Sequence, residues 1–129
     1  MSGRREIIAS RANDCCEYCQ LHESEPAFVH QIEHIIARKH HGATIPENLC
    51  LACFECNEFK GSNIAGIDPE TGDLTRLFHP RVDVWSEHFR WGGIKLIGLT
   101  AIGRTTVDVL NINEFERLEH RRLIARRKR

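Results

Sequence analysis

"NLCLACFECNEFKG", residues 48–61, decides the fold, because two periodicities meet inside it. Leu49 and Leu51 alternate with Cys50 and Ala52, as residues of a short strand do. From Phe54 onward the stretch reads as a helix, which Gly61 stops. Cys53 and Cys56 sit at the junction with two residues between them. That spacing lets a tight turn direct both sulfurs at one ion. A strand running into a helix through such a knuckle is therefore the centre from which the rest is read.

Upstream, "CCEYC" (15–19) holds a second C-x2-C pair, Cys16 and Cys19. Two knuckles supply the closed tetrahedral four-thiolate shell that zinc favours, with no position left open for chemistry. The N-terminus "MSGRREIIAS" lacks a signal-peptide core, so six cysteines argue against a disulfide framework and toward metal or thiol chemistry. Two ambiguities stay open. Cys50 and Cys53 also form a C-x2-C, and Cys15 could take the place of Cys16. Cys50 suits a small apolar role on its strand. Cys15 closes a first helix running to about Asp14, shares a face with Ile8 and Ala12, and reads as core.

Between the knuckles, "PAFVHQIEHII" (26–36) is rich in β-branched and aromatic residues and reads as a strand. "RKHHGATIPEN" (38–48) holds Gly, Pro and Asn and reads as a loop. The order is thus strand, loop, strand, helix, with a knuckle clamping each end. "IDPETGDL" (67–74) is a turn that lacks the alternating acids of a calcium loop. "LFHPRVDVWSEHFRWGGIKLIGLT" (77–100) reads as two or three short strands, and the chain looks helical from Arg104.

A length of 129 residues fits one α+β domain: a core at 15–61, an extension at 62–113 and a basic helical tail at 114–129. No apolar run approaches the roughly 18 residues of a membrane span, so a cytoplasmic protein without a membrane partner is expected. Lys and Arg balance Asp and Glu at 18 each, yet "HRRLIARRKR" (120–129) holds six bases and no acid. A basic run on an acidic body fits a nucleic-acid contact; a solvated helix end is the alternative.

"CEYC", "IEHI", "ENL" and "CNEFKG", in this order, resemble the HNH endonuclease family. The resemblance covers Cys16 to Gly61, about a third of the chain. "LFHPR", "HF", "GLT" and "GR" further on are similar to the C-terminal extension of a bacterial subgroup of these proteins. The resemblance implies a ββα-metal (His-Me finger) unit clamped by a four-cysteine zinc site, and metal-dependent hydrolysis of double-stranded DNA. It implies His34 as the general base acting on water. Glu33 and Asn57 would hold one divalent cation, Mg2+ or Mn2+. Asn48 would tie the loop between the strands. Asn57 stands where other members have a second His, and Glu33 where many have Asp.

The chemistry agrees with those roles. An imidazole with an ordinary pKa of about 6.5 is largely neutral at pH 7 and accepts a proton. A carboxylate with an amide oxygen offers the hard, underfilled oxygen shell that magnesium completes with water and phosphate. Lys60 lies three residues after Asn57, on the same helix face, where it either touches a phosphate or is solvated. His30 shares the strand face of His34, with a phosphate-side role or a plain surface role open to it. His41, in the loop, is a further candidate for substrate contact. His79 and His88 flank Pro80 and Trp85 and read as packing residues or a second metal pair. A zinc-stabilised module that binds nucleic acid without cutting it is the competing reading.

Overall fold

The computed structural model describes residues 2–23 and 29–127. Within them the chain is α+β: α1 (Ser2–Arg11), β1 (Gln31–His34), β2 (Leu49–Ala52), α2 (Phe54–Lys60), β3 (Ala65–Ile67), β4 (Leu74–Arg76), α3 (Trp85–His88), β5 (Phe89–Gly92), β6 (Lys95–Gly98), α4 (Ala101–Val109) and α5 (Phe115–Arg127). The strands pair as three antiparallel hairpins, β1–β2, β3–β4 and β5–β6.

The β1–β2 hairpin positions everything that follows. Its register places Glu33 opposite Cys50 and His34 opposite Leu49. All four residues of β2 are buried, because both of its faces are covered. Leu49 and Leu51 pack with Ile8 of α1 and with Ile32. Cys50 and Ala52 join the main core of Cys16, Tyr18, Phe78, Phe89 and Leu110. Helix α2 packs against β1.

The strand-to-helix junction is held by its own cysteine. Cys53 caps α2 by accepting from the Cys56 amide, and Gly61 ends the helix with φ of 52°. In the extension, α4 lies on β6 so closely that a Cβ on Gly98 would stand 2.3 Å from the Arg104 amide nitrogen. Thr100 caps α4 at the Gly103 amide.

The observed elements correct several expectations. α1 ends at Arg11, because Asn13 and Asp14 turn the chain through left-handed conformations with φ of 55° and 58°. Cys15 is therefore off the helix and only half-buried. β1 spans four residues rather than the stretch from 26 to 36, and residues 26–28 lie outside those described. The turn at 67–74 closes the β3–β4 hairpin, whose strands were not expected. Residues 77–100 hold the short helix α3 and one hairpin. The C-terminal helix is two helices, divided where Asn111 takes a φ of 53°.

Candidate active site and metal centre

Cys16, Cys19, Cys53 and Cys56 converge, with their four sulfurs within 4.8 Å of one another. Sulfurs about 2.3 Å from a common centre in a tetrahedron lie about 3.8 Å apart; the Cys19 and Cys53 sulfurs are 3.7 Å apart. In each knuckle the second cysteine's amide donates to the first one's sulfur, at 3.5 Å and 3.4 Å. Burial pushes the Cys16 and Cys56 thiols up, while hydrogen bonds from Cys16, Cys53 and Cys56 hold Cys19 down. Four thiols in a dry cluster cannot all ionise without a cation, so the donor set fits a zinc ion. Cys50 stands apart from them, 3.7 Å from the Tyr18 hydroxyl.

Arg117, from α5, reaches into this centre. Its guanidinium donates to Cys56 Sγ at 3.1 Å and lies 3.8 Å from Cys53 Sγ. Burial works against its charge, yet the Cys56 and Cys19 sulfurs hold the guanidinium above its ordinary range.

His34 closes β1 on the face opposite Glu33, as strand alternation requires. It is half-buried, and its Nε2 lies 2.8 Å from Thr44 Oγ1. The loop from 37 to 48 is tied by Asn48. Its Oδ1 accepts from the Ile36 amide at 2.9 Å, and its Nδ2 donates to the carbonyls of Ile36 and Ala43 at 3.0 Å and 2.9 Å. Gly42 is where the loop folds back: a Cβ there would stand 1.8 Å from the Ile36 carbonyl oxygen. His41 is exposed and left-handed, with φ of 68°, beside this fold-back.

Glu33 and Gln31 face α2. Glu33 is 6% exposed, and its Oε1 lies 3.2 Å from Lys60 Nζ. Its Oε2 takes the Cys50 thiol at 3.3 Å. Burial pushes this carboxyl up, against the pull of Lys60. One turn earlier on α2, the half-buried Asn57 donates its amide to Gln31 Oε1.

The expected substrate contacts divide. His41 is free to meet a ligand from solvent. Lys60 is not: it is 1% exposed, and its ammonium donates to the Ile35 carbonyl at 2.9 Å. A charge this buried must be paired, and Glu33 pairs it. His30 precedes β1 instead of sharing its face, is 1% exposed, and bonds the Leu21 carbonyl through Nε2 at 2.6 Å. Both residues turn their polar atoms inward, which removes the phosphate contacts expected of them. In the extension, His88 Nδ1 meets Thr100 Oγ1 at 2.6 Å, and His79 Nδ1 accepts from the Arg81 amide. Among the described residues the four cysteines are the one metal-type cluster.

The HNH endonuclease family model matches residues 16–63. By that match, residues 16–63 form an HNH-type segment. The chain is also similar to the Septu protein PtuB of Bacillus thuringiensis, with 29% identity over 119 residues. The alignment covers 91% of this chain and 44% of that protein, so the chain spans less than half of this relative's length. No solved structure matches the chain significantly.

The HNH segment contains all four cysteines, His34, Asn48 and Asn57, but three participants escaped the sequence reading. Thr44 and Gln31 looked like ordinary polar residues, and only the folded loop and helix bring them to His34 and Asn57. Arg117 lies outside the segment altogether.

For a divalent cation the donor types are right: Glu33 and Asn57 offer a carboxylate and an amide oxygen. Glu33 Oε1, although near Lys60, is a buried oxygen that accepts no hydrogen bond. The donor types suit such an ion, with Lys60 already paired to the same carboxylate.

Proposed function

We propose that the chain is a metal-dependent endonuclease that hydrolyses phosphodiester bonds of double-stranded DNA, with His34 as its general base. The HNH match over residues 16–63 carries this reading, because its span contains a half-buried histidine at the end of β1, beside a loop tied by Asn48. Glu33 and Asn57 would hold a divalent cation, Mg2+ or Mn2+. When bound, such an ion supplies positive charge to the phosphate as charge develops on it.

The chain's own residues do the rest. For His34 to accept a proton at Nδ1, Nε2 must carry its hydrogen and donate it to Thr44 Oγ1. Thr44 then fixes the tautomer and the ring plane, leaving the Nδ1 lone pair for water. Asn48 holds the backbone on both sides of that ring in one shape. The four-cysteine zinc site joins the two ends of the unit and takes no part in the chemistry, since all its positions are filled.

Nicking of supercoiled plasmid with and without Mg2+ or Mn2+ tests the reading. His34→Ala should lower the rate by about 10²–10⁴-fold, the usual worth of a general base, with zinc content and DNA affinity retained. The second reading, a zinc-stabilised module that binds nucleic acid without cutting, is favoured by one observation: Lys60 already pairs with the Glu33 carboxylate. It wins if wild type binds DNA yet cuts none with any divalent ion.

A further inference from the structure

Helix α5 is attached in an unusual way for a helix of 13 residues. Its one buried residue is Arg117, at 4% exposure. Its large apolar side chains do not supply an apolar face: Phe115 is 71% exposed and Leu123 54%, while Leu118 and Ile124 are half-buried. A helix usually docks by burying an apolar stripe. Here the contact is polar. Arg117 donates to the Leu110 carbonyl at 2.7 Å and to Cys56 Sγ at 3.1 Å, and Glu55 lies 3.7 Å from its Nε. One turn on, Arg121 donates to the Ile94 carbonyl at 2.8 Å and lies 5.5 Å from the Trp91 ring centre.

Four thiolates around one divalent zinc leave a net charge of −2 in a buried place. A charge of that size needs an opposite partner close by. We propose that Arg117 is that partner: α5 is a helix docked by charge on the tetrathiolate centre, so that metal occupancy sets where the basic helix lies. With the metal lost, the doubly negative centre that holds Arg117 is gone, and α5 buries no apolar side chain that would keep it in place. In the loaded protein the same contact protects the centre, because a guanidinium bonded to sulfur lowers the attack of chelators and electrophiles on it.

The test uses the full chain loaded with zinc, or with cobalt for its thiolate absorption. In Arg117→Met the metal should still bind at one per chain. Amides of 115–127 should exchange faster and a chelator should strip the metal faster, each by about tenfold, as for one charge-assisted hydrogen bond lost. Arg122→Met, at an exposed surface pair with Glu119, should match wild type in both. In wild type titrated with chelator, protection of α5 should vanish together with the cobalt–thiolate band. Exchange and stripping in Arg117→Met within about twofold of wild type would overturn the proposal, as would an α5 still protected after the band has gone. Should Arg117→Met fail to fold, Arg117→Gln decides: it keeps a hydrogen-bonding amide and loses the charge, so stripping at the wild-type rate refutes the docking.

Discussion

Glu33 and His34 are adjacent, yet strand alternation sends them to different surroundings. His34 meets a loop hydroxyl at the surface, whereas Glu33 enters a buried cluster with Cys50 and Lys60. The order of the two residues was legible in the sequence; the partner of Glu33 was not, because a lysine on a short helix reads as solvated until the helix is laid on β1. Removing one member of a buried ion pair strands the other charge, at a cost of about 3–5 kcal/mol. Lys60→Met should therefore lower stability by that order in urea denaturation, and adding Glu33→Gln should recover most of the loss. If the single variant is as stable as wild type, the pair does not hold Glu33, and the carboxylate is already available to a cation.

At the scale of elements, the loop from 37 to 48 and the link between β4 and α3 are held by single polar side chains. Asn48 makes three hydrogen bonds to loop backbone, and Asn48→Ala would leave the Ile36 amide and two carbonyls unpaired. A cost of about 1–3 kcal/mol is expected, with loss of amide protection confined to that loop. Unchanged exchange at Ile36 would show that water or backbone replaces the side chain. Asp83 does the equivalent work in the extension: it takes two bonds from Arg76, at 2.7 Å and 2.8 Å, and one from the His79 amide at 2.9 Å. Arg76 chiefly holds its carboxyl down, to about 2. A carboxyl depressed by folding stabilises above its unfolded value of about 4, and that stability is lost as the pH falls toward about 2. Half of the Arg76 side chain is exposed, so solvent screening leaves on the order of 1 kcal/mol. Asp83→Asn should remove this amount at pH 7 and flatten the acid limb of the stability curve between about pH 4 and 2. The β3–β4 hairpin was not legible because each strand has three residues, too few to show alternation. The knuckle cysteines were legible because their spacing is itself the geometry of the site.

Across the whole molecule, the four-cysteine cluster joins segments far apart in sequence: the first knuckle, the start of α2 and, through Arg117, α5. A structural zinc can contribute on the order of 10 kcal/mol, as much as a domain's whole stability. The basic tail looked uniform in sequence, but folding divides it. Arg121 is drawn onto Trp91 and three backbone or amide oxygens, while Arg122, Arg126 and Arg127 stay exposed; Lys128 and Arg129 lie outside the described residues. Only the exposed arginines are placed to meet a polyanion. Cutting the chain after Glu119 would remove both kinds at once and confuse docking with DNA contact. Arg122→Gln together with Arg126→Gln separates them. On duplex DNA each neutralised phosphate contributes about 0.9 to the slope of log affinity against log salt, so losing two contacts should flatten it by about 1.8. Zinc content and α5 protection should stay at wild-type levels, since neither arginine touches the thiolates. A slope that does not change would mean that DNA does not meet this face of α5, and that its exposed arginines are a solvated helix end.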